Sequence, residues 1–240
     1  LSFQYVTSLI PGGTSSFGSF IKARDNATVI VGASTVIYMV DLNTGASETL
    51  AEIDNFDAAL QGNELYITRS SYNPDWTANS FVTRIDLETP NIPVDVVTGI
   101  PGASAGICLD GDGNLYTGNG YANAGVDETG LIKRFRLAIL PLEWKAGISC
   151  GDVLSAGTLI WAGEGTLLVG GGDTFGSGDD DYFAALDTAT GRLVWKMDPD
   201  EGADSNYKLS AGAGRFAASV WDYATSTGTI YLAEVSELGL

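Results

Sequence analysis

A hairpin with the same internal order recurs along this chain at intervals of about 40 to 50 residues. Its clearest copy spans residues 106–118, where two alternating apolar runs flank a turn of aspartate, glycine and asparagine. Alternation with a period of two predicts strands, and the residues between the runs favour a tight turn. The other copies lie at residues 20–32, 58–67, 159–170 and 209–221. The recurrence predicts one supersecondary unit that is used repeatedly.

A second hairpin follows the first within the unit, at residues 38–45, 83–90 and 184–191, with a degenerate copy at 135–144. Two consecutive hairpins form a meander of four strands, here named A to D, which is the blade of a β-propeller. We therefore predict an all-β fold, a β-propeller of about five four-stranded blades in one domain. The predicted blades are 14–53, 54–98, 99–148, 149–200, and 201–240 together with 1–10.

The last unit receives its fourth strand from the start of the chain in this prediction. Residues 229–235 supply a C strand, and residues 3–9 form a separate alternating run. Pairing of residues 3–9 in the last blade would close the ring and cover a sheet edge. The same strand could instead pair with a neighbouring molecule, which predicts a homo-oligomer or polymer.

Charge and composition exclude several classes of function. Thirty acidic residues against twelve basic ones give a net charge of −18, which disfavours nucleic acid as a partner. The chain has no histidine, so histidine general bases and imidazole-ligated metals are excluded. No apolar stretch is long enough for a transmembrane segment. Acidity, few lysines and Gly/Asn/Asp/Ser-rich loops predict a secreted, extracellular or cell-surface protein, with the periplasm as an alternative, whose signal peptide has been removed.

Two cysteines, Cys108 and Cys150, are present. They are too few for a Cys-only zinc site and lack the spacing of a redox CxxC motif. In a secreted protein a single disulfide between them is the natural interpretation. Two buried thiols are the alternative, because free cysteine packs like a small apolar residue.

Two segments resemble known propeller families. Residues 109–116, Leu-Asp-Gly-Asp-Gly-Asn-Leu-Tyr, resemble the hairpins of NHL and gluconolactonase-type propellers. Residues 185–196, Ala-Leu-Asp-Thr-Ala-Thr-Gly-Arg-Leu-Val-Trp-Lys, resemble a PQQ-type propeller repeat. The resemblance is confined to these short motifs, and it implies the fold rather than an activity.

The B-to-C loops and D-to-A linkers of a propeller emerge on one face, where binding sites are usually built. Here they include residues 70–76 and are rich in carboxylates, amides and aromatic rings, which suit sugar or calcium binding. We predict a non-catalytic extracellular binding or scaffold module that contacts glycan, calcium or protein; an acidic face that is merely solvated is the alternative. The predicted ligand-binding residues are Tyr72, Trp76, Tyr121, Asp152, Asp204 and Tyr207.

Calcium is the predicted cofactor, if any. The consecutive carboxylates of Asp179, Asp180 and Asp181 repel one another unless a cation or water screens them, so they are the predicted metal ligands. Residues 110–114 match the first ligand positions of an EF-hand loop, but Tyr121 stands at the twelfth position. A tight hairpin is therefore the preferred interpretation of that segment.

An enzymatic function is the second hypothesis. Asp57, Asp152 and Asp204 begin different blades and could converge, as the carboxylates of a small metal-dependent lactonase or a glycoside hydrolase would. No catalytic motif is visible, so no catalytic residue is assigned. Trp161, Trp195 and Trp221 lie in predicted strands and are expected to pack between blades.

Overall fold

The alternating runs of the sequence form short antiparallel strands. The computed structural model describes residues 18–75, 77–119, 131–136, 144–149, 157–171, 182–197, 208–212, 214–222 and 227–234. Those residues form strands and turns and contain no helix. The strands are β1 (Phe20–Ala23), β2 (Thr28–Ala33), β3 (Val36–Asp41), β4 (Ser47–Ala51), β5 (Asp57–Gln61), β6 (Glu64–Tyr72), β7 (Ala78–Asp86), β8 (Val94–Pro101), β9 (Ser104–Leu109), β10 (Asn114–Asn119), β11 (Leu131–Arg136), β12 (Trp144–Ser149), β13 (Thr158–Gly163), β14 (Thr166–Gly171), β15 (Tyr182–Asp187), β16 (Leu193–Met197), β17 (Lys208–Gly212), β18 (Arg215–Asp222) and β19 (Thr227–Glu234).

These strands assemble into five antiparallel sheets in chain order. Each of the first four sheets has four strands, β1–β4, β5–β8, β9–β12 and β13–β16, and the fifth contains β17–β19 among the described residues. Each sheet is one blade, numbered 1 to 5, and the blades form a ring. The predicted five-bladed β-propeller is thus confirmed. The predicted closing strand at residues 3–9 lies outside the described residues.

The first strand of each blade lies on the inside of the ring. β5 contacts both β1 and β9, and β13 contacts both β9 and β17. Because neighbouring strands are antiparallel, successive connections lie at alternate ends of the propeller. One end, the loop face, carries the B-to-C loops and the D-to-A linkers. The opposite end, the turn face, carries the A-to-B and C-to-D turns.

The hydrophobic core lies in the seams between neighbouring blades. Because successive strand residues point to opposite faces, Leu167 packs towards blade 3 and the next residue, Leu168, towards blade 5. Full burial of a side chain of this size stabilises the fold by about 1.5–3 kcal/mol. Representative pairs across the four seams are Ile37 and Ile67, Tyr66 and Phe135, Ile132 and Leu159, and Phe183 and Phe216.

Two of the tryptophans contribute to these seams as predicted. Trp161 packs against the cluster between blades 3 and 4. Trp195 packs between blades 4 and 5, where its ring meets Phe216 edge-on at a centroid distance of 6.4 Å. The side chain of Trp221 lies outside the described part of the chain.

The C-to-D turns are held by a repeated aspartate. The Asp41 carboxylate accepts the N–H groups of Asn43 at 2.8 Å and Thr44 at 3.0 Å. Asp187 accepts the N–H of Thr190 at 2.7 Å in the same way. A glycine with a φ of 71° follows in both turns, Gly45 and Gly191, in a conformation that glycine adopts without steric cost. The second repeated hairpin of the sequence is therefore a property of local turn chemistry.

Candidate functional site

The loop face is described mainly at blades 1 and 2. Its described segments are residues 18–19, the turn at residues 34–35, the linker 52–56, the loop 73–77 without residue 76, residues 102–103 and residue 157. Tyr72 borders this face and lies within the described range. The remaining predicted ligands lie outside it, namely Trp76, Tyr121, Asp152, Asp204 and Tyr207, together with the predicted metal ligands Asp179, Asp180 and Asp181.

Tyr72 is the last residue of β6 and is 53% exposed. The sequence predicted a loop from residue 70, but Ser71 pairs with Asn79 and Tyr72 with Ala78, so the strand continues to the tyrosine. Serine tolerates the extended conformation when its neighbour strand supplies the ladder of hydrogen bonds. Tyr72 therefore stands on a regular strand, which fixes its position better than a loop would.

The short loop beyond Tyr72 satisfies its own polar groups. The N–H of Asn73 donates to the carbonyl of Thr77 at 2.8 Å. The Asp75 carboxylate accepts the hydroxyl of Thr77 at 2.6 Å and its N–H at 3.1 Å. These hydrogen bonds hold the pKa of Asp75 below its ordinary value. The tyrosine ring is thus an accessible aromatic group beside this loop.

Phe56 is a second exposed aromatic residue on the loop face, and the sequence analysis did not select it. It lies in the linker before β5, its N–H donates to the carbonyl of Thr68 at 2.8 Å, and it is 38% exposed. An aromatic residue directly after the polar pair Asp54 and Asn55 in a D-to-A linker is the signal that could have identified it. Blade 2 therefore presents two accessible rings at this end of the propeller.

Asp57 connects three blades at the inside of the ring. Its carboxylate lies 3.3 Å from Nζ of Lys22 on β1 and accepts the N–H of Ile107 on β9 at 3.1 Å. It also accepts the N–H of Ala58 at 2.8 Å, and its side chain is 16% exposed. A carboxylate with these partners is a structural tie between blades rather than a free acid or base. The other two carboxylates of the hydrolase hypothesis, Asp152 and Asp204, are outside the described residues.

Asn55 fixes the linker between blades 1 and 2. Its N–H donates to the carbonyl of Ser34 at 2.7 Å, and its Nδ2 donates to the carbonyl of Ile53 at 3.0 Å. The Oδ1 atom is buried and has no hydrogen-bond donor. It faces Gly32, where a Cβ atom would lie only 2.5 Å away. The sequence analysis missed this residue because its role depends on a turn that belongs to another strand pair.

Asp110 confirms the hairpin interpretation of residues 110–114. Its carboxylate accepts the N–H groups of Asp112 and Asn114, Nδ2 of Asn114, and the hydroxyl of Tyr116 at 2.9 Å. Burial acts to raise its pKa, but the hydrogen bonds outweigh burial and lower it. Burial and the adjacent carboxylate raise the pKa of Tyr116 to about 12. This carboxylate is saturated by its own hairpin on the turn face.

The part of the chain that the structure describes contains no site for a metal ion. No group of three or more carboxylates or cysteines there is arranged to hold an ion. The calcium hypothesis therefore rests on Asp179–Asp181 alone, as a prediction from the sequence.

Cys108 lies on β9 within the seam between blades 3 and 4. It is a free thiol, 8% exposed. Burial, and secondarily the negative charge of Asp57, raise its pKa above the ordinary value, so the thiol is the dominant form at neutral pH. The structure thus shows no disulfide at Cys108, the other predicted partner Cys150 lies outside the described residues, and of the two interpretations Cys108 follows the buried thiol.

Comparison with known proteins shows the fold and not the family. No protein-family model matches the chain, and no curated protein matches it. Among solved structures, a chain of the mitotic checkpoint complex superimposes with a TM-score of 0.59 at 16% identity, over 93% of this chain and 66% of that one. An extracellular domain from B. thetaiotaomicron has a TM-score of 0.56 at 14% identity, over 95% of this chain and 30% of that one.

A third similar structure is a calcium-binding protein, regucalcin, from Agrobacterium tumefaciens. It superimposes with a TM-score of 0.60 at 13% identity, over 85% of this chain and 68% of that chain. The chain thus spans about two thirds of two of these structures and under one third of the other. At such identities the likeness establishes the propeller architecture, which is shared by proteins of many functions.

Proposed function

We propose that this propeller is a non-catalytic extracellular binding or scaffold module that uses its loop face for glycan, calcium or protein contacts. The observation that carries the proposal is the exposure of Tyr72 and Phe56 on blade 2 beside a loop that satisfies its own hydrogen bonds. Aromatic rings held on a rigid edge provide apolar contact area at little entropic cost. Such rings suit stacking on a sugar as well as packing against a protein.

Binding is favoured over catalysis by the state of Asp57. An acid–base carboxylate must reach the substrate and exchange a proton. Asp57 is instead engaged by Lys22 and by the N–H of Ile107. The described part of the loop face therefore offers contact surface. Asp57, the one described carboxylate of the hydrolase hypothesis, is engaged between blades.

An extracellular location and a macromolecular partner are parts of the proposal that the similar structures support only by analogy. One of them is an extracellular domain, and another is part of a protein complex. The net charge of −18 favours solubility and disfavours anionic surfaces as partners. No helix in the described part of the chain is long and apolar enough to cross a membrane.

Calcium binding is tested by thermal unfolding in excess chelator and again after calcium is restored. A ligand that binds only the native state at 100 times its Kd stabilises it by about 2.7 kcal/mol. We expect calcium to raise Tm, and the variant Asp179→Asn/Asp180→Asn/Asp181→Asn to abolish the increase. Asp110→Asn is the matched control, because that carboxylate is saturated by its hairpin. An unchanged Tm in both buffers would remove calcium from the proposal.

Glycan binding is tested on an array of immobilised glycans of defined structure. Loss of a stacking ring costs about 0.5–1.5 kcal/mol, so Tyr72→Ala should weaken binding by roughly 2- to 13-fold. Ile92→Ala is the control, since Ile92 is 68% exposed but lies in the C-to-D turn of the opposite face. Equal losses in the two variants would contradict the assignment of the loop face. Release of free sugar by the wild-type chain would contradict the non-catalytic proposal.

A further inference from the structure

The B-to-C hairpin of blade 2 extends further at the loop face than that of blade 1. Both hairpins begin level at the turn face, where Asp41 and Asp86 accept N–H groups of equivalent C-to-D turns. The strands β2 and β3 pair over six residues up to the turn at 34–35, whereas β6 and β7 pair over nine, up to Tyr72 and Ala78. At a rise of about 3.3 Å per residue, three further pairs raise blade 2 by roughly 10 Å above the blade 1 turn. The two blades thus form a step.

The wall of this step is the side of the blade 2 hairpin that faces blade 1. Successive strand residues alternate between the two sides of a sheet, and Ile67 on β6 packs towards blade 1. Four residues of the two strands continue that side towards the loop face, and they form two cross-strand pairs. They are Arg69 with Phe81 and Ser71 with Asn79.

Arg69 and Phe81 give the wall a fixed planar surface. The guanidinium carbon of Arg69 lies 4.6 Å from the centroid of the Phe81 ring. Its Nε donates to the hydroxyl of Thr83 at 2.9 Å, and its Nη2 pairs with the carboxylate of Asp95. These contacts hold the guanidinium in one orientation and offset its charge. The wall therefore offers a flat face that carries no net charge of its own.

The free hydrogen-bonding groups of the step lie beside that flat face. Ser71 is exposed and Asn79 is partly exposed, and neither side chain has a hydrogen-bond partner among the described residues. The linker at the foot of the wall adds the exposed residues Glu52, Asp54 and Phe56. The step thus combines an amide, a hydroxyl, two carboxylates and an aromatic ring.

The floor of the step, formed by the turn 34–35 and the linker 52–56, is fixed at an energetic cost. Ser34 adopts a φ of 56°, in the left-handed region that few residues other than glycine enter. Its carbonyl accepts the N–H of Asn55 at 2.7 Å, and its N–H donates to the hydroxyl of Ser19 at 3.0 Å. These bonds tie the linker to the turn while Oδ1 of Asn55 stays buried without a donor. Strain and unpaired polar atoms of this kind are concentrated at preorganised binding surfaces.

We propose that the step between blades 1 and 2 binds an uncharged sugar residue, an inference that rests on the glycan-binding part of the proposed function. The C–H face of a pyranose packs on the flat surface of Arg69 and Phe81. The sugar hydroxyls find donors and acceptors in Ser71 and Asn79 and further acceptors in the linker carboxylates.

The charge of the step selects among ligands. Three carboxylates, those of Glu52, Asp54 and Asp95, stand against the one guanidinium of Arg69, which leaves a net charge of −2. Acidic sugars are therefore repelled. A protein partner would favour an apolar centre, whereas the four wall residues include no aliphatic side chain. An uncharged sugar fits both conditions.

The test titrates the isotope-labelled full chain with methyl glucoside, methyl galactoside and methyl mannoside, and with glucuronate as the acidic comparison, while amide shifts are recorded by NMR. We expect at least one uncharged pyranoside to shift amides of the wall and of the linker 52–56, and glucuronate to shift none of them. Ser71→Ala/Asn79→Ala should weaken binding about tenfold, because two hydrogen bonds are lost. Thr89→Ala/Asn91→Ala, in the exposed C-to-D turn of the same blade, is the matched control and should bind as the wild type does. Unchanged affinity of the wall variant, or no shift with any pyranoside, would overturn the proposal.

A blocking variant keeps the test decisive if the wall variant does not fold. Thr35 is exposed in the turn at the floor, so Thr35→Trp fills the step without removing any group of the wall and should abolish the pyranoside shifts. Thr89→Trp on the turn face is its control and should leave them unchanged.

The step and the proposed function fail in different ways. By the alternation of strand residues, Tyr72 lies on the opposite side of the hairpin from Ser71. Glycans on the array that need Tyr72 but tolerate Ser71→Ala/Asn79→Ala and Thr35→Trp would refute the step and leave the proposed function standing. An array on which the wild-type chain binds no glycan would overturn both.

Discussion

At the inside of the ring, the seam between blades 2 and 3 differs from the seam between blades 3 and 4. Asp57 on β5 extends its carboxylate to the N–H of Ile107 on β9 at 3.1 Å. In the seam between blades 3 and 4, Gly106 on β9 approaches β13 so closely that a Cβ atom would lie 2.6 Å from the backbone nitrogen of Leu159. Ile107 and Leu159 occupy equivalent positions of their blades.

The difference shows that repeated hairpins do not impose repeated seams. A charged side chain bridges the inner strands of blades 2 and 3, whereas those of blades 3 and 4 meet through backbone atoms. Direct backbone approach requires glycine, since any side chain would occupy the space of the neighbouring strand. The spacing of blades is thus set by individual residues on the inner strands, and each seam responds to a different kind of substitution.

Gly106→Ala should have the largest effect. The added methyl group meets backbone atoms of Thr158 and Leu159, which cannot rotate away, so we expect a loss of about 3 kcal/mol in the free energy of unfolding, the upper end for overpacking. Urea denaturation measures it. Gly157→Ala is the control, because its Cβ would lie at an ordinary distance of 3.5 Å from the carbonyl oxygen of Gly170. Similar losses in the free energy of unfolding for both variants would show that the two inner strands move apart to accommodate the methyl group.

Gly32→Ala should cost less, about 2 kcal/mol, within the usual range for overpacking. Here the methyl group meets side-chain atoms, Cε1 of Phe20 and Oδ1 of Asn55. Side chains can shift where a backbone cannot. The informative result is therefore a smaller loss in the free energy of unfolding than for Gly106→Ala. The same urea titration provides it. A loss larger than that of Gly106→Ala would reverse our view of which contacts are rigid.

Asp57→Ala should reduce the free energy of unfolding by about 1–2 kcal/mol, because the N–H of Ile107 loses its acceptor. Lys22→Met should cost less, since the lysine side chain is 33% exposed and its ion pair is screened by solvent. A double-mutant cycle separates the ion pair from the amide bond. A coupling energy equal to the whole effect of Asp57→Ala would mean that the ion pair with Lys22, and not the hydrogen bond from the N–H of Ile107, connects the blades.

The smallest effect concerns Asp110, at the turn-face end of the seam between blades 3 and 4. Its pKa is lower in the folded chain than in the unfolded one, where aspartate titrates near 3.9. Its contribution to stability is therefore complete above that value and is lost as the pH falls through the folded pKa. Asp110→Asn should make the stability profile flatter below about pH 4. Parallel profiles in acid urea titrations would contradict this role.

The sequence was sufficient for the features that depend on neighbouring residues. The turns at Asp41, Asp110 and Asp187 are built from hydrogen bonds that span two to six residues, so their pattern is visible without the fold. The alternating runs between them specify strands and their order in a sheet. The number of blades followed from counting these units, and the structure confirms it.

The candidate site was less predictable because its determinants come from distant parts of the chain. Asn55 acquires its role from Ser34 and Gly32, and Asp57 from Lys22 and Ile107, whose separations range from 21 to 50 residues. Phe56 was overlooked since a linker aromatic has no periodicity that reveals its exposure. Most predicted ligands fall in stretches of sequence between the repeated hairpins, where no repeat guides the prediction, and they lie outside the described residues.

Aspartates that accept hydrogen bonds within their own turns also affect the charge of the folded molecule in acid. The carboxyls of Asp25, Asp41 and Asp187, and that of Asp75 in its loop, all have lowered pKa values because N–H and hydroxyl groups of their own turns donate to them. The composition alone gives an isoelectric point of about 4.1. These four carboxyls therefore stay ionised to a lower pH in the folded chain than in the unfolded one. Their retained negative charge at about pH 4 favours mutual repulsion of folded molecules in acid.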